Sequence, residues 1–159
     1  MKTLRLDFLA GGRVLALAAF LFLAAGTALA QKGPSTATTT IKVGGHPLRV
    51  EVVANDEDRA KGLMFREKLG RDDGMLFVFP ELAYHAMWMK NTLIPLSVAF
   101  IEADGTIANI ADMKPHDESS HCAVKPVPYA LEMDRGWFAA RGLKAGSRIG
   151  GLEKAPPRR

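Results

Sequence analysis

The apolar positions of this chain fall in short runs separated by turn residues, a pattern that predicts many short strands and little helix. Ile41–Val43 and Leu48–Val53 flank Gly44-Gly45-His46-Pro47 and predict a β-hairpin. Asn55-Asp56-Glu57-Asp58 opens a short helix ending near Leu63 and Met64. Asn55 can cap it, and an acidic first turn suits the positive end of the helix dipole. Gly70–Gly74 reads as a loop and Met75–Phe79 as a compact strand stopped by Pro80. Tyr84–Thr92 and Leu96–Glu102 predict two further strands around Pro95. Asp104-Gly105 is a pair favoured at tight hairpin turns, and Ile107–Ala111 is the returning strand. Asp112–Val127 reads as an irregular loop and Tyr129–Met133 as a strand. Arg135–Arg141 reads as one or two helical turns stopped by Gly142, and a last strand falls near Arg148–Gly150. The expected fold is mainly β, a jelly-roll-like sandwich or barrel with one or two short helices and no internal repeat.

One apolar run stands outside that body. Lys2, Arg5 and Arg13 form a basic head, Val14–Ala25 is almost unbroken apolar sequence, and Ala28 and Ala30 give an A-x-A ending. That order predicts a signal peptide over residues 1–30, cleaved near Ala30, and a periplasmic or secreted protein. The apolar run is about a dozen residues, short of the roughly 20 that span a bilayer. The membrane is therefore met only during export, and no cysteine sits at the cleavage point to carry acyl chains. Gln31–Thr40 is a polar, flexible lead-in, residues 41–152 form one β domain, and residues 153–159 are a disordered tail.

Charge and composition narrow the function classes. Beyond the leader the chain carries 18 basic and 16 acidic residues, interspersed, which makes no field for nucleic acid. An exported protein meets little ATP or NAD(P)H. There is also no phosphate-cradling glycine loop, because Gly11-Gly12 lies in the leader and Gly44-Gly45 precedes no helix. No cofactor is expected. Cys122 is the single cysteine, so no disulfide forms within the chain.

Three stretches carry a resemblance: Arg59–Arg66 (RAKGLMFR), Gly74–Phe79 (GMLFVF) and Trp88–Leu96 (WMKNTLIPL). In this order and spacing they resemble the DUF192 family, and Tyr129–Glu132 and Gly142–Gly146 fit the same pattern. The resemblance covers residues 41–150. It implies a compact, jelly-roll-like β domain with a small helical insertion, no established reaction, and positions in common at Arg66 and Glu132. The family pattern usually carries an acidic residue where this chain has Ser97, so a carboxylate-dependent role at that place does not transfer.

Read as a strand, Tyr84–Thr92 has two faces. Trp88 and Lys90 share one, with the ammonium able to lie against the indole. Asn91 and Thr92 follow with amide and hydroxyl groups. Together with Arg66 and Glu132 they make a candidate site for a small polar ligand, a sugar, a peptide or a cell-envelope component, bound without catalysis. A purely structural reading competes: Trp88 covers the core edge, Lys90 pairs with Glu132, and the amide and hydroxyl satisfy a turn. The other face offers His85, Met87 and Met89, a soft set suited to Cu(I). A third reading makes Cys122 the nucleophile of a thiol-dependent hydrolase. His121 is its chain neighbour and points away from it, so His116 or a distant residue would be the base.

Overall fold

The computed structural model describes residues 37–155, so the expected leader lies outside the described residues. The first hairpin forms and starts before its apolar run. Strand β1 (Ala37–Val43) pairs antiparallel with β2 (His46–Val53), with Ala37 opposite Val52. Thr38–Thr40 join the ladder because its bonds come from the backbone and β-branched side chains suit a pleated surface.

Helix α1 (Asp56–Lys61) is capped as the sequence predicts: Asn55 Oδ1 accepts the Asp58 N–H at 2.9 Å. Asn55→Ala should cost about 1 kcal/mol, read as a lower urea midpoint at unchanged slope.

Strand β3 (Asp73–Ala83) runs parallel to β2 and passes through Pro80, where the sequence predicts a stop. Pro80 falls between Val78 and Ala83, where the register with the neighbouring strand shifts, so its missing N–H removes no ladder bond. A parallel pair cannot be closed by a tight turn. Residues 54–72, including α1, therefore form a crossover connection.

Tyr84–Thr92 is not one strand. Only β4 (Ala86–Met87) is extended and paired, because the chain turns afterwards: the Thr92 N–H donates to Met89 O, and Asn91 takes φ 54°. The strands β5 (Leu96–Ile101) and β6 (Ile107–Met113) form the expected hairpin. The segment read as irregular contains β7 (His121–Cys122), which pairs with β4. Strands β8 (Val127–Asp134) and β9 (Ile149–Gly150) complete the set. Gly142, at φ 65°, ends the 3-10 turn Ala139–Arg141, as the sequence predicts. A second such turn, Leu152–Lys154, continues past the expected domain end.

The fold is mainly β with one α-helix. Seven strands form a curled half-barrel sheet in the order β6-β5-β8-β3-β2-β1-β9, with β4-β7 as a small second sheet. The two ends of the large sheet are strapped together. Thr106 bridges Arg148, Ile107 N–H donates to Ser147 O, Gly146 N–H to Ile107 O, and Ile149 N–H to Gly105 O, the three bonds each 2.8 Å.

Every residue of β5 is buried, which explains the unbroken apolar run: the sheet is covered on both faces. Val50, Leu76, Leu131 and Met133 pack under Trp137, Phe138 and Leu143 on one face. Met75, Phe77, Val98, Phe100 and Ala130 pack with Leu63, Met87, Met89 and Ile94 on the other.

Candidate functional site

Glu132 is the group that the second face does not satisfy. Successive side chains of β8 alternate, so Leu131 and Met133 face one core while Ala130 and Glu132 face the other. The register sets Glu132 between Met75 and Val98, with Glu51 one strand beyond Met75. Glu132 is 4% exposed. Among the described residues it has no hydrogen-bond or ion-pair partner. Desolvation alone pushes its carboxyl up to about 8, so at neutral pH it is mostly protonated.

The carboxyl borders a cavity of about 30 Å³, room for one or two waters. Its walls are the end of α1 and the loop to Met64, Phe77 of β3, and Met87, Trp88 and Thr92. The chain reaches this position through Gly62, which at φ 46° and ψ −130° adopts a conformation open to glycine alone.

Three segments beside the cavity residues Met64 and Thr92 carry left-handed backbone. Phe65, Asn91 and His116 are the non-glycine residues with positive φ among those described, at 63°, 54° and 61°. They lie on three connections that are tied together at residues 91 and 92. Phe65 N–H donates to Asn91 O at 2.9 Å, and His116 N–H donates to Thr92 O at 3.2 Å. Left-handed backbone costs roughly 1–2 kcal/mol per residue and concentrates at functional sites. Trp88, 47% exposed, stands at the mouth with Lys90 Nζ 5.3 Å from its ring centroid.

Of the residues singled out in the sequence, Trp88, Thr92 and Glu132 line this cavity, whereas Lys90 and Asn91 are exposed in the adjoining turn and do not line it. Thr92 is buried, and its hydroxyl donates to Lys90 O at 3.3 Å. Lys90 lies against the indole and forms no ion pair with Glu132. Arg66 does not reach the cavity. It makes a two-pronged pair with Glu51, at 2.5 and 2.6 Å, which raises the guanidinium pKa. The cavity contacts from Arg59–Met64 are not foreseen by the strand reading. Gly62, a stop signal after a short amphipathic helix, is the residue that could have announced them.

The alternative sets are placed differently. Met87 and Met89 are core residues, whereas the His85 ring stacks on Phe79 at 3.7 Å with Nε2 3.1 Å from Glu81 O. Cys122 is exposed. His121, opposite Met87 in the ladder, has a buried Nε2 without a hydrogen bond, 3.7 Å from Asp117 Oδ2. Ser97 lies outside the site: its hydroxyl donates to Asp112 at 2.5 Å and accepts the Gly136 N–H at 2.9 Å.

Two larger, more open depressions lie elsewhere, one of about 440 Å³ beside Asp104 and Arg148 and one of about 410 Å³ beside Ser97 and Asp112. The Arg148–Asp104 and Ser97–Asp112 pairs in their walls are already bonded to each other. Size therefore does not mark the site; the unpartnered carboxyl does.

Comparison with known proteins places these residues in context. The model of the DUF192 family, described as an uncharacterised ACR, matches residues 39–151. A crystal structure from Sinorhizobium meliloti 1021, described provisionally as a transcription regulator, is 36% identical with a TM-score of 0.70, covering 74% of this chain and 95% of that one. A protein of unknown function from Novosphingobium aromaticivorans DSM 12444 is 34% identical with a TM-score of 0.69, covering 72% of this chain and 85% of that one. No curated protein matches the chain. Arg59–Arg66, Gly74–Phe79 and Trp88–Leu96, the stretches that resemble the family, all contribute walls to the cavity over Glu132.

Proposed function

Because the chain belongs to the DUF192 family, whose description assigns no activity, its function is read from its own site, and we propose an exported, non-catalytic binding module for a small polar ligand, a sugar or a peptide. The ligand rests on Trp88 and reaches past Lys90, Asn91 and Thr92 toward Glu132. One observation carries this reading: a buried carboxyl without a partner, facing a cavity at the foot of an exposed indole. Natural proteins rarely leave a buried polar group unsatisfied, and they hold strained loops where function requires them. Export is supported by the basic head, short apolar run and A-x-A ending of the first thirty residues. The near-balanced, interspersed charge of the remaining chain argues against nucleic acid as the partner.

Titration of the labelled protein with short oligosaccharides and dipeptides tests the reading. Shifts of the Trp88 indole and the Thr92 amide are expected, and Trp88→Ala should weaken binding by roughly tenfold or more, the cost of losing a stacking platform. Binding unaltered in Trp88→Ala, or no shift with any ligand of either class, overturns it. Mass spectrometry of the protein from the cell envelope should find a chain beginning near Gln31. Soluble material retaining Met1 overturns export.

A further inference from the structure

We propose that the cavity over Glu132 seats a primary ammonium group, the buried end of the ligand that the binding reading requires. The inference rests on that reading and goes further, because it fixes the chemistry of one end of the ligand.

The cavity, at about 30 Å³, admits one or two heavy atoms and no ring. Whatever enters is therefore a tip, with the rest of the molecule outside against Trp88. Of the polar side chains that line the cavity, Glu132 and Thr92 can accept from the tip, while the cationic Arg59 and Lys61 in the α1 wall are directed elsewhere, Arg59 to Val78 O and Asp56 and Lys61 to solvent. Glu132 offers both carboxyl oxygens once its proton leaves. Thr92 has committed its hydroxyl proton to Lys90 O and keeps its lone pairs. An anionic tip would be repelled by Glu132. A hydroxyl has one proton to give, whereas an ammonium has three and brings the charge that the buried carboxylate lacks. Leu63, Met64, Phe77 and Met87 supply an apolar sleeve for the methylene next to the nitrogen.

The charged groups around the cavity leave that role open. From α1, Arg59 lines the wall with its guanidinium donating to Val78 O at 2.8 Å and paired with Asp56, and Lys61 is exposed. Lys90 is at the rim over Trp88. The neighbours of Glu132 in the sheet, Met75 and Val98, are apolar, and the Glu51 carboxylate beyond Met75 is taken by Arg66.

The probe is methylammonium chloride, titrated into the full protein and followed at the Thr92 amide and Trp88 indole, with methanol as the uncharged isostere. Methylammonium should shift both signals and methanol should not. Glu132→Gln should weaken methylammonium binding at least tenfold. In the wild-type protein, affinity should fall about tenfold per pH unit from pH 8 to pH 6, because Glu132 must release its proton while an alkylamine stays charged up to about pH 10. Two further arms identify the source of the amine: glucosamine against glucose, and a dipeptide against its N-acetyl form. Methanol equal to methylammonium, a flat pH profile in the wild type, or unchanged binding in Glu132→Gln overturns the proposal. If glucose or the acetylated peptide still shifts Trp88, the binding module survives and the ammonium seat does not. If no probe binds, both fall.

Discussion

Urea should unfold this protein more easily as pH rises from about 4.5 to about 8, and Glu132→Gln should remove most of that dependence. In the unfolded chain the carboxyl titrates near 4.5, and in the native core burial raises it to about 8. Between those values the native state holds a proton that the unfolded state has lost, so stability declines as pH increases. The contribution is complete below pH 4.5 and gone above pH 8. The separation corresponds to about 5 kcal/mol, a large share of the 5–15 kcal/mol that holds a typical domain together. Glutamine does not titrate, so the variant should gain on the wild type by several kcal/mol between pH 5 and pH 8, whatever their difference at pH 5. Asp104 and Asp117, held low chiefly by hydrogen bonds from Thr106 and Ser119, are exposed and lose their stabilising effect only at acid pH, well below this window. Parallel midpoint curves for the two proteins would mean that Glu132 is solvated in the native state.

Gly105→Ala should be the most damaging single-methyl change at the strapped end of the sheet, by roughly 3 kcal/mol or more. Two costs combine. Gly105 has φ 87°, a conformation that side-chain-bearing residues adopt at a penalty, and a Cβ there would overlap the Ile149 carbonyl oxygen. That carbonyl is backbone and cannot swing aside like a flexible side chain. Relief requires moving the 146–149 segment, which breaks the Ile149–Gly105 and Ile107–Ser147 bonds. Gly136→Ala is the control, since Gly136 has φ 79° but open space around it, and it should show the conformational penalty alone. Equal losses in the two variants would mean that the Ile149 contact yields freely.

Hairpins and caps were legible because their physics is local. Asp104-Gly105 announced a turn, Asn55 announced a helix start, and the family resemblance named Glu132. What escaped the sequence depends on partners distant along the chain. Pro80 reads as a terminator until the register shift beside β8 shows that no bond is lost there. Tyr84–Thr92 has alternating character, yet Asp117 O takes the Met89 N–H and the loop turns at Asn91, so its expected faces do not persist. Trp88 and Lys90 still meet, through the turn. Arg66 matches the family pattern alongside Glu132, yet its guanidinium pairs with the Glu51 carboxylate fifteen residues earlier, a contact that depends on folding the 62–66 segment over β2. The need for Gly62 and the strain at Phe65 and His116 arise only after these segments are folded onto one another.

Since β2 and β3 run side by side in the same direction, some length of polypeptide must travel back over the sheet, and that traveller is what roofs Glu132. The sheet needs the journey to be made but places little demand on which residues make it. The roof over Glu132 and the strand scaffold are thereby uncoupled. In the proposed binding role, grafting residues 54–72 and 88–95 together from one relative into another should transplant ligand preference while leaving the strand ladder as it was.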